Sequence, residues 1–361
     1  MSSAVTSHSS LKFQPPGAFA REVNRRAHAA MADTPRFGDA AQWGRTVAFL
    51  GVGLAAYGLL LAGAANATAC IAVAAFCAFM MIVQVGHDAA HGALAAQPRV
   101  NRAALFWSFA VLGVDGAQWR DRHIRLHHQV VNLPGTGIDA DSVSLFRLAP
   151  DKPWHCWMRL QPFYGPLLYA IGHISLAWIE DFAGLRARRR EGRREFTGKA
   201  ALARFAAGKA VHAGLFLVVP WFVRRPSLES LLLGYLFASA LIAICFVMLV
   251  VGTHVSDLAE FPTPDAQGRV PHDWATHQLV TSVDWSPENK FAVLMSGGAN
   301  AHVAHHLFPG YNHRHMAQLS HIIAETAAAH GLQHHVTSFG GMVRGQWRHL
   351  VALSHAPAGT A

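Results

Sequence analysis

The sequence predicts an all-α integral membrane protein with four transmembrane helices in two hairpins and a cytoplasmic helical cap. Three observations lead to this fold class. Only 14% of the 361 residues are charged, whereas soluble domains carry about 25%. Several long apolar stretches contain no charged residue. Histidine-rich polar clusters follow these stretches, which indicates that a polar region adjoins the membrane-embedded helices.

The first charge-free stretch predicts the first hairpin. It runs from Thr46 to Gly86 without Asp, Glu, Lys or Arg. At about 1.5 Å per residue it makes roughly 60 Å of helix, enough for two crossings of a ~30 Å hydrocarbon core. The segment Gly63 to Thr68 (GAANAT) is the natural turn. We therefore expect transmembrane helices at about 46–64 and 67–86.

Two further apolar regions predict the second hairpin. They give helices at about 203–223 and 230–253, separated by RRPSLE. Arg204 and Lys209 interrupt the third helix near its start. A shorter apolar segment, Ala103 to Trp119, has only about 12 residues before its polar end. Such a segment is too short to cross a membrane comfortably, and we expect it to be buried or re-entrant.

Basic residues predict the orientation, because they accumulate on the cytoplasmic side. The N-terminal segment and the middle region are both basic, and the middle region contains RARRREGRRE from Arg186 to Glu195. We expect a multi-pass protein of a bacterial inner membrane with both termini in the cytoplasm. The predicted organisation is a cytoplasmic segment at 1–45, a main domain at 46–331 and a C-terminal tail at 332–361.

Histidine clusters recur three times along the chain. On a helix, residues three and four apart share a face, so each cluster can direct two or three imidazoles at one point. Two hairpins return the chain to the same membrane face, which places all three clusters and His254 on one side. Surface histidines on a chain with 24 of them are the simpler interpretation, which the recurrence disfavours. The candidate ligands are His87, His91, His123, His127, His128, His254, His302, His305 and His306.

Nine imidazoles indicate two metal ions, because one tetrahedral zinc uses about four ligands. Imidazole suits zinc, copper, iron and nickel. Spacing does not choose among these metals. Choosing iron needs a further chemical argument, namely that a redox metal beside a lipid-facing cavity suits oxygen chemistry on an unactivated C–H bond. Ligating histidines often donate their second N–H to a carboxylate. The nearby candidates for that role are Asp88, Asp121, Asp139, Asp141, Asp257, Glu260 and Asp284.

Other polar and thiol groups are expected to have no role in the site. We expect His313, His315 and His321 to be solvated and His212 to be packed inside the third helix. The four cysteines show no metal or disulfide spacing.

The motifs resemble those of the membrane fatty acid desaturase family, also called the histidine-box di-iron family. The matching stretches are HDAAH, RHIRLHHQVVNLPGTGIDAD, THVSDLAEFP, HQLVTSVDW and GGANAHVAHHLFP. The chain is most similar to the branch of front-end and linoleoyl-type acyl desaturases. That branch commonly begins its third box with Gln, where this chain has His302. The resemblance implies that the nine histidines bind two irons, which reduce O₂ while two hydrogens leave adjacent carbons of an acyl chain.

The resemblance also implies partners. The expected substrate is a fatty acyl group on CoA, a carrier protein or a glycerolipid, in contact with membrane lipid and without nucleic acid. The first 45 residues lack a haem-site pattern, so we expect a separate electron donor such as ferredoxin and its reductase. The basic run at 186–195 is either a membrane anchor or a dock for an acidic partner.

Three other activities stay open at this point. A lipid or carotenoid hydroxylase or ketolase would use the same di-iron core, and so would an acetylenase. A transporter or metal-binding membrane protein is disfavoured, because transport sites lie near the bilayer midplane and these histidines lie at helix ends and beyond.

Overall fold

A computed structural model of the chain describes residues 11–136 and 145–356, and this part is predominantly helical. The α-helices are α1 (Ala18–Met31), α2 (Ala40–Ala62), α3 (Ala67–Met81), α4 (His87–Ala90), α5 (Pro98–Val111), α6 (Gly116–Arg122), α7 (His128–Val130), α8 (Gln161–Ser175), α9 (Asp181–Arg190), α10 (Arg194–Thr197), α11 (Lys199–Ala213), α12 (Val219–Arg224), α13 (Leu228–Val250), α14 (Trp274–Val280), α15 (Lys290–Ser296), α16 (His302–Leu307), α17 (Met316–Ala329) and α18 (Phe339–Ser354). The short strands are β1 (Lys12–Gln14), β2 (Arg269–Asp273), β3 (Asp284–Trp285) and β4 (Val336–Thr337).

Within residues 11–136 and 145–356, four segments adopt π-helical geometry, in which each backbone hydrogen bond spans one residue more than in an α-helix. They continue α-helices without a break and are Ile82–Gly86, His123–His127, Leu176–Glu180 and Gly214–Val218. Single π-turns of this kind are rare and are frequently found at functional sites. Two of the four directly precede or contain histidines of the predicted boxes.

Four helices of the described chain are long and apolar enough to cross a membrane, as the sequence predicts. They are Ala40–Ala62, Ala67–Ala90, Lys199–Arg224 and Leu228–Thr253. The first begins six residues before the predicted start, because the Asp39 carboxylate accepts a hydrogen bond from Gln42 N at 2.9 Å and caps the helix there. It ends at Gly63, whose φ of +67° is the left-handed conformation common after helices.

The structure divides into two compact units. The first, here called the histidine unit, comprises Met1–Arg36, Arg122–Pro166 and Val247–Ala361; the second, here called the span unit, comprises Phe37–Asp121 and Leu167–Phe246. The histidine unit is therefore built from three separate stretches of chain, and the span unit from two.

In the span unit, α2 and α3 pack against each other after the turn at 63–66. Phe49 and Phe76 meet edge to face with ring centroids 6.3 Å apart. A side chain at Gly53 would come within 2.8 Å of the Cys77 Cβ, so this glycine allows the close approach. Many apolar side chains of α2 point outward, and Val47 is 67% exposed. Such a surface suits contact with lipid, because exposed apolar patches of this size are unusual on soluble monomers.

The short apolar segment at 103–119 forms the larger part of α5 and the start of α6. At about 1.5 Å per residue, α5 is on the order of 20 Å long. Its inner face buries Phe109 and Ala110. His212 of the third span is fully buried, as predicted, and its Nδ1 and Nε2 lie 2.9 Å from Val111 O and 2.8 Å from the Tyr235 hydroxyl.

The histidine unit has its own apolar core between α1, α14, α16 and α17. Val23, Leu279, Val303 and Leu319 are fully buried in it. Two small parallel sheets tie distant segments together, since β1 pairs with β2 and β3 pairs with β4. The residues predicted as a C-terminal tail include β4 and α18. Helix α18 packs into this unit through the buried Met342 and Leu350.

Candidate metal centre

The second histidine box lies where α6 changes into the π-turn His123–His127 and then into α7. The additional residue in this turn alters the helical register. As a result, His123 stays adjacent to both His127 and His128. The His123 and His127 rings stack with centroids 5.1 Å apart. His123 Nε2 and His128 Nε2 are 3.1 Å apart.

Four imidazoles of the histidine unit converge on one point. His127, His254, His302 and His306 each offer a nitrogen, and these nitrogens all lie within 4.8 Å of one another. His302 Nε2 is 2.7 Å and His306 Nε2 is 3.1 Å from His254 Nε2. The box-two segment, the end of α13 and helix α16 each contribute, so the site joins parts of the chain that are far apart in sequence.

The second nitrogen of three of these rings faces a protein acceptor. His254 Nδ1 lies 2.8 Å from Thr281 O, and His302 Nδ1 lies 3.1 Å from Ala299 O. His306 Nδ1 lies 2.7 Å from Gln278 Oε1. These acceptors select the tautomer that carries its proton on Nδ1, which leaves each Nε2 as a lone-pair donor.

Converging lone pairs repel one another unless a cation lies among them. An all-imidazole donor set with the second nitrogens fixed by hydrogen bonds is the arrangement that ligating histidines use for iron, zinc or copper. Burial, and then the neighbouring imidazoles, hold the pKa of His306 well below its ordinary value. The neutral, ligating form of this ring is therefore the stable one, and the residues present fit a bound transition metal.

The remaining histidines of this unit extend the cluster. His123 and His305 stack with centroids 5.7 Å apart. The His128 ring lies between this stacked pair and the four converging imidazoles. Its centroid is 4.6 Å from that of His305 and 4.3 Å from that of His306. Seven of the nine predicted ligands are thus in contact within the histidine unit.

Helix α14 connects the ligand-bearing segments of this unit. Trp274 Nε1 donates to His128 O at 3.1 Å, and His277 Nε2 lies 2.9 Å from Val131 O. Gln278 meets His306, and the carbonyl of Thr281, directly after the helix, meets His254. Sequence reasoning did not assign roles to these four residues. The available signal for His277, Gln278 and Thr281 was the stretch HQLVTSVDW, which the resemblance already included and which begins three residues after Trp274.

His87 and His91 lie in the span unit, at the end of the second candidate span, with ring centroids 5.2 Å apart. Asp88 between them is buried, and its Oδ2 accepts from Gln42 Nε2 at 2.9 Å. The Gln42 amide also donates to Gln84 O at 2.5 Å. These bonds fix the backbone of the first box against α2.

The predicted role of carboxylates is wrong for the three rings whose acceptors are described above, because their acceptors are two carbonyls and an amide. Asp121 instead pairs with Arg188 and Arg193. Asp257 lies 3.5 Å from Arg348, and Glu260 is exposed. Asp139 and Asp141 lie outside the described residues.

Asp284 supports the third box through its backbone. This fully buried carboxylate accepts from Val303 N at 2.9 Å and from Ser320 Oγ at 2.7 Å. His334 Nε2 lies 3.0 Å from it. Asp284 thereby fixes the start of α16, next to His302.

The predicted solvation of His313 and His315 is also wrong, since both are buried at 3% and 7% exposure. His313 packs beside Gly298, where a side chain would come within 2.8 Å of the His313 Cβ. His315 Nε2 lies 3.0 Å from Pro35 O. His321 is exposed, as predicted.

Comparison with known proteins identifies the origin of this arrangement. The fatty acid desaturase family model matches residues 62–338. The sn-1 linoleoyl-lipid 6-desaturase of Synechocystis sp. is 28% identical over 79% of this chain and 79% of its own length. The enzyme of the same name from Arthrospira platensis is 28% identical over 72% of this chain and 70% of its own. The acyl-lipid (8-3)-desaturase of Physcomitrium patens is 26% identical over 68% of this chain, but only 51% of the relative is covered.

Proposed function

This chain belongs to the fatty acid desaturase family, and on that premise we propose that it desaturates a long-chain fatty acyl group at a membrane surface using O₂. It is a membrane protein of an oxidoreductase family. A single observation carries the proposal. Four imidazole nitrogens of the histidine unit converge within 4.8 Å, and hydrogen bonds hold the second nitrogens of three of these rings, His254, His302 and His306, in the ligating tautomer.

The ligands of the proposed centre are the nine histidines of the three boxes and His254, holding two irons. The seven histidines in contact within the histidine unit support most of this set. His87 and His91 are included because their i, i+4 spacing places both rings on one helical face. Asp88 holds that stretch of backbone through Gln42.

Iron bound in this way would supply the reduction of O₂. The overall reaction takes two hydrogens from adjacent carbons of the acyl chain and two electrons from a donor. With two protons it gives a double bond and two waters. The protein's own contribution is to keep each ligating imidazole neutral and oriented with its Nε2 towards the metal. Thr281, Ala299 and Gln278 accept the hydrogen bonds that do this for His254, His302 and His306 respectively.

The substrate is proposed to be an acyl chain carried on a lipid. The relatives from Synechocystis and Arthrospira are named linoleoyl-lipid desaturases, and the Physcomitrium relative is named an acyl-lipid desaturase. These names disfavour a hydroxylase or ketolase and favour removal of hydrogen over insertion of oxygen.

Two experiments test the proposal. The first is lipid profiling of a host that expresses the protein. The second is an assay of purified membranes under O₂ with added ferredoxin and its reductase. We expect an acyl product that has lost two hydrogens, and iron in the purified protein. His302→Ala should abolish the product and lower the iron content while the protein stays in the membrane. His321→Ala, at an exposed histidine, is the matched control and should keep both.

Three outcomes would contradict parts of this proposal. A product that has gained one oxygen atom would indicate a hydroxylase. Full activity and full iron content in His302→Ala would remove box three from the metal centre. Turnover that does not depend on the added electron donor would contradict the separate donor.

For the topology, we propose that both termini and all three boxes lie on the cytoplasmic side, with residues 46–331 as the main domain. The four spans form two hairpins, 40–62 with 67–90 and 199–224 with 228–253. The basic run supports this orientation. Within that run Arg188 and Arg193 are committed to Asp121, so a docking role for an acidic donor would rest on the exposed Arg186, Arg190 and Arg194.

A further inference from the structure

A cavity of about 150 Å³ in the span unit is lined by charged side chains. It lies between α5, the segment 113–120, α10 and the first turns of α11. Its basic residues are Arg102, Arg120, Arg204 and Lys209, and its acidic residues are Asp115 and Glu195. Two of the basic residues are those that interrupt the third span. Cations inside a transmembrane segment are costly and generally mark a functional feature.

Lys209 is neutralised by the protein itself. Its Nζ lies 2.7 Å from Asp181 Oδ2 and donates to Gly113 O at 2.5 Å and to Ala177 O. Lys209 and Asp181 are both buried. This ion pair fixes α11 against the start of α9, and it leaves the three arginines as the source of positive charge in the cavity.

The arginines are not paired in the same way. Within the described residues, no carboxylate forms an ion pair with Arg102, Arg120 or Arg204. The Nε of Arg204 is buried without a hydrogen-bond partner. Arg120 donates through its Nε to Ala90 O at 2.7 Å and also lines the cavity. A buried donor with no partner costs about 1–3 kcal/mol, or more when charged, so the site favours a ligand with anionic oxygens.

The same cavity also contains an unused acceptor. Asp115 Oδ1 accepts from Ala117 N at 2.9 Å and from Gln118 N at 3.1 Å, which caps α6. Its Oδ2 is buried with no hydrogen-bond partner. A ligand that satisfies both features carries an anionic group for the guanidiniums and a hydroxyl for Asp115.

We propose that this cavity binds the phosphate of an anionic glycerolipid whose head group carries a free hydroxyl. Guanidinium groups match the oxygens of a phosphate with paired hydrogen bonds. Apolar side chains line the same cavity, among them Leu105, Phe106 and Phe205, so one wall suits the start of an acyl chain. Inorganic phosphate shares the anionic chemistry but does not use that wall. The inference does not depend on the desaturation reaction.

The test is lipid binding to the full-length protein in detergent, measured by native mass spectrometry. The probes are phosphatidylglycerol, phosphatidylcholine and inorganic phosphate. We expect phosphatidylglycerol to bind at least about tenfold more tightly than phosphatidylcholine, because choline adds a cation next to the arginines. Arg204→Gln and Arg102→Gln should each weaken the binding of phosphatidylglycerol by about tenfold, which is the loss of affinity expected when a charged hydrogen bond is removed.

Arg99→Gln is the matched control, because Arg99 is exposed on the same helix as Arg102 and does not line the cavity. It should bind phosphatidylglycerol like the wild type. Equal binding of the two lipids by the wild type would overturn the proposal. So would Arg204→Gln and Arg102→Gln variants that bind like Arg99→Gln. Tight binding of inorganic phosphate without preference for phosphatidylglycerol would show a soluble anion as the ligand and overturn the lipid assignment.

Discussion

At the scale of single residues, buried histidines divide into those that offer a lone pair to the centre and those that support it. His277 belongs to the second group. It is fully buried on α14, and its Nε2 lies 2.9 Å from Val131 O. Burial lowers its pKa from 6.5 to about 4. Its neutral form therefore stabilises the segment that follows box two.

This pKa predicts a stability that depends on pH. Between pH 4 and 6.5 the unfolded chain binds a proton at His277 that the folded chain does not. Stability from this residue is therefore complete above about pH 6.5 and is lost as the pH falls towards 4. The shift corresponds to about 3 kcal/mol. Thermal unfolding of the detergent-solubilised protein, followed across this pH range, measures it.

The variant for comparison is His277→Gln, whose side-chain amide can still donate to Val131 O but does not titrate. We expect its loss of stability at low pH to be smaller than that of the wild type. His321→Gln, at an exposed position, should follow the wild type. Identical pH profiles for the wild type and His277→Gln would show that His277 does not contribute to the acid sensitivity.

The clustering of these histidines was largely predictable from sequence, but their supporting partners were not. Box spacing placed His302, His305 and His306 on one helical face, and the structure brings them together with His254. The partner of His306 is Gln278, twenty-eight positions earlier. Spacing rules act over one or two helical turns, so a contact over that separation depends on the tertiary fold.

At the scale of secondary-structure elements, the seven-residue helix α14 connects the segments that form the candidate metal centre. It contacts box two through Trp274, the segment after box two through His277, and box three through Gln278. The helix is capped by Asp273, whose carboxylate accepts from Thr276 N at 3.0 Å. We propose that its role is to position ligands without binding metal itself.

Gln278→Ala should therefore lower metal affinity without unfolding the protein. Removing a hydrogen-bond partner of a ligating histidine typically costs 10–100-fold in metal affinity or activity. Retained iron during dialysis against a graded series of chelator concentrations measures the affinity directly. Gln278→Glu, which keeps an acceptor for His306 Nδ1, should restore most of it.

Gln318→Ala, at an exposed position on α17, is the matched control. It should retain iron like the wild type. A Gln278→Ala protein with unchanged iron retention would exclude the proposed positioning role of α14, whatever its effect on turnover.

The spans themselves were predictable as elements because hydropathy acts over whole helices, whereas their ends depend on individual caps. The first span starts early because Asp39 caps it. The burial of His313 and His315 was missed for a related reason. Their sequence surroundings are polar, and only packing against Gly298 and the segment at Pro35 removes them from water.

At the scale of the whole molecule, the proposed topology is tested by the accessibility of cysteines. Cys156 is exposed in the histidine unit and should react with a membrane-impermeant thiol reagent only after the cytoplasmic side is opened. Ala64→Cys, in the turn between the first two spans, should react from the outside of intact cells. Mass analysis of the labelled protein measures both.

The control is Cys156→Ser, which should lose only the label on the cytoplasmic side. Labelling of Cys156 and of Ala64→Cys from the same side would refute the topology, because an odd number of crossings separates the turn from the boxes. The buried Cys70 and Cys77 should stay unreactive in either case.

The pairing of β1 with β2 can form only late in synthesis, and so can the candidate metal centre, because box three follows β2 in the chain. The Gln14 side chain donates to Val270 O, a partner 256 residues later. At about 5–20 residues per second, the first strand exists for on the order of tens of seconds before its partner is made. The ribosome must deliver all four spans before His302 emerges. We therefore infer that a growing chain presents incomplete sets of the candidate ligands until the third box is made.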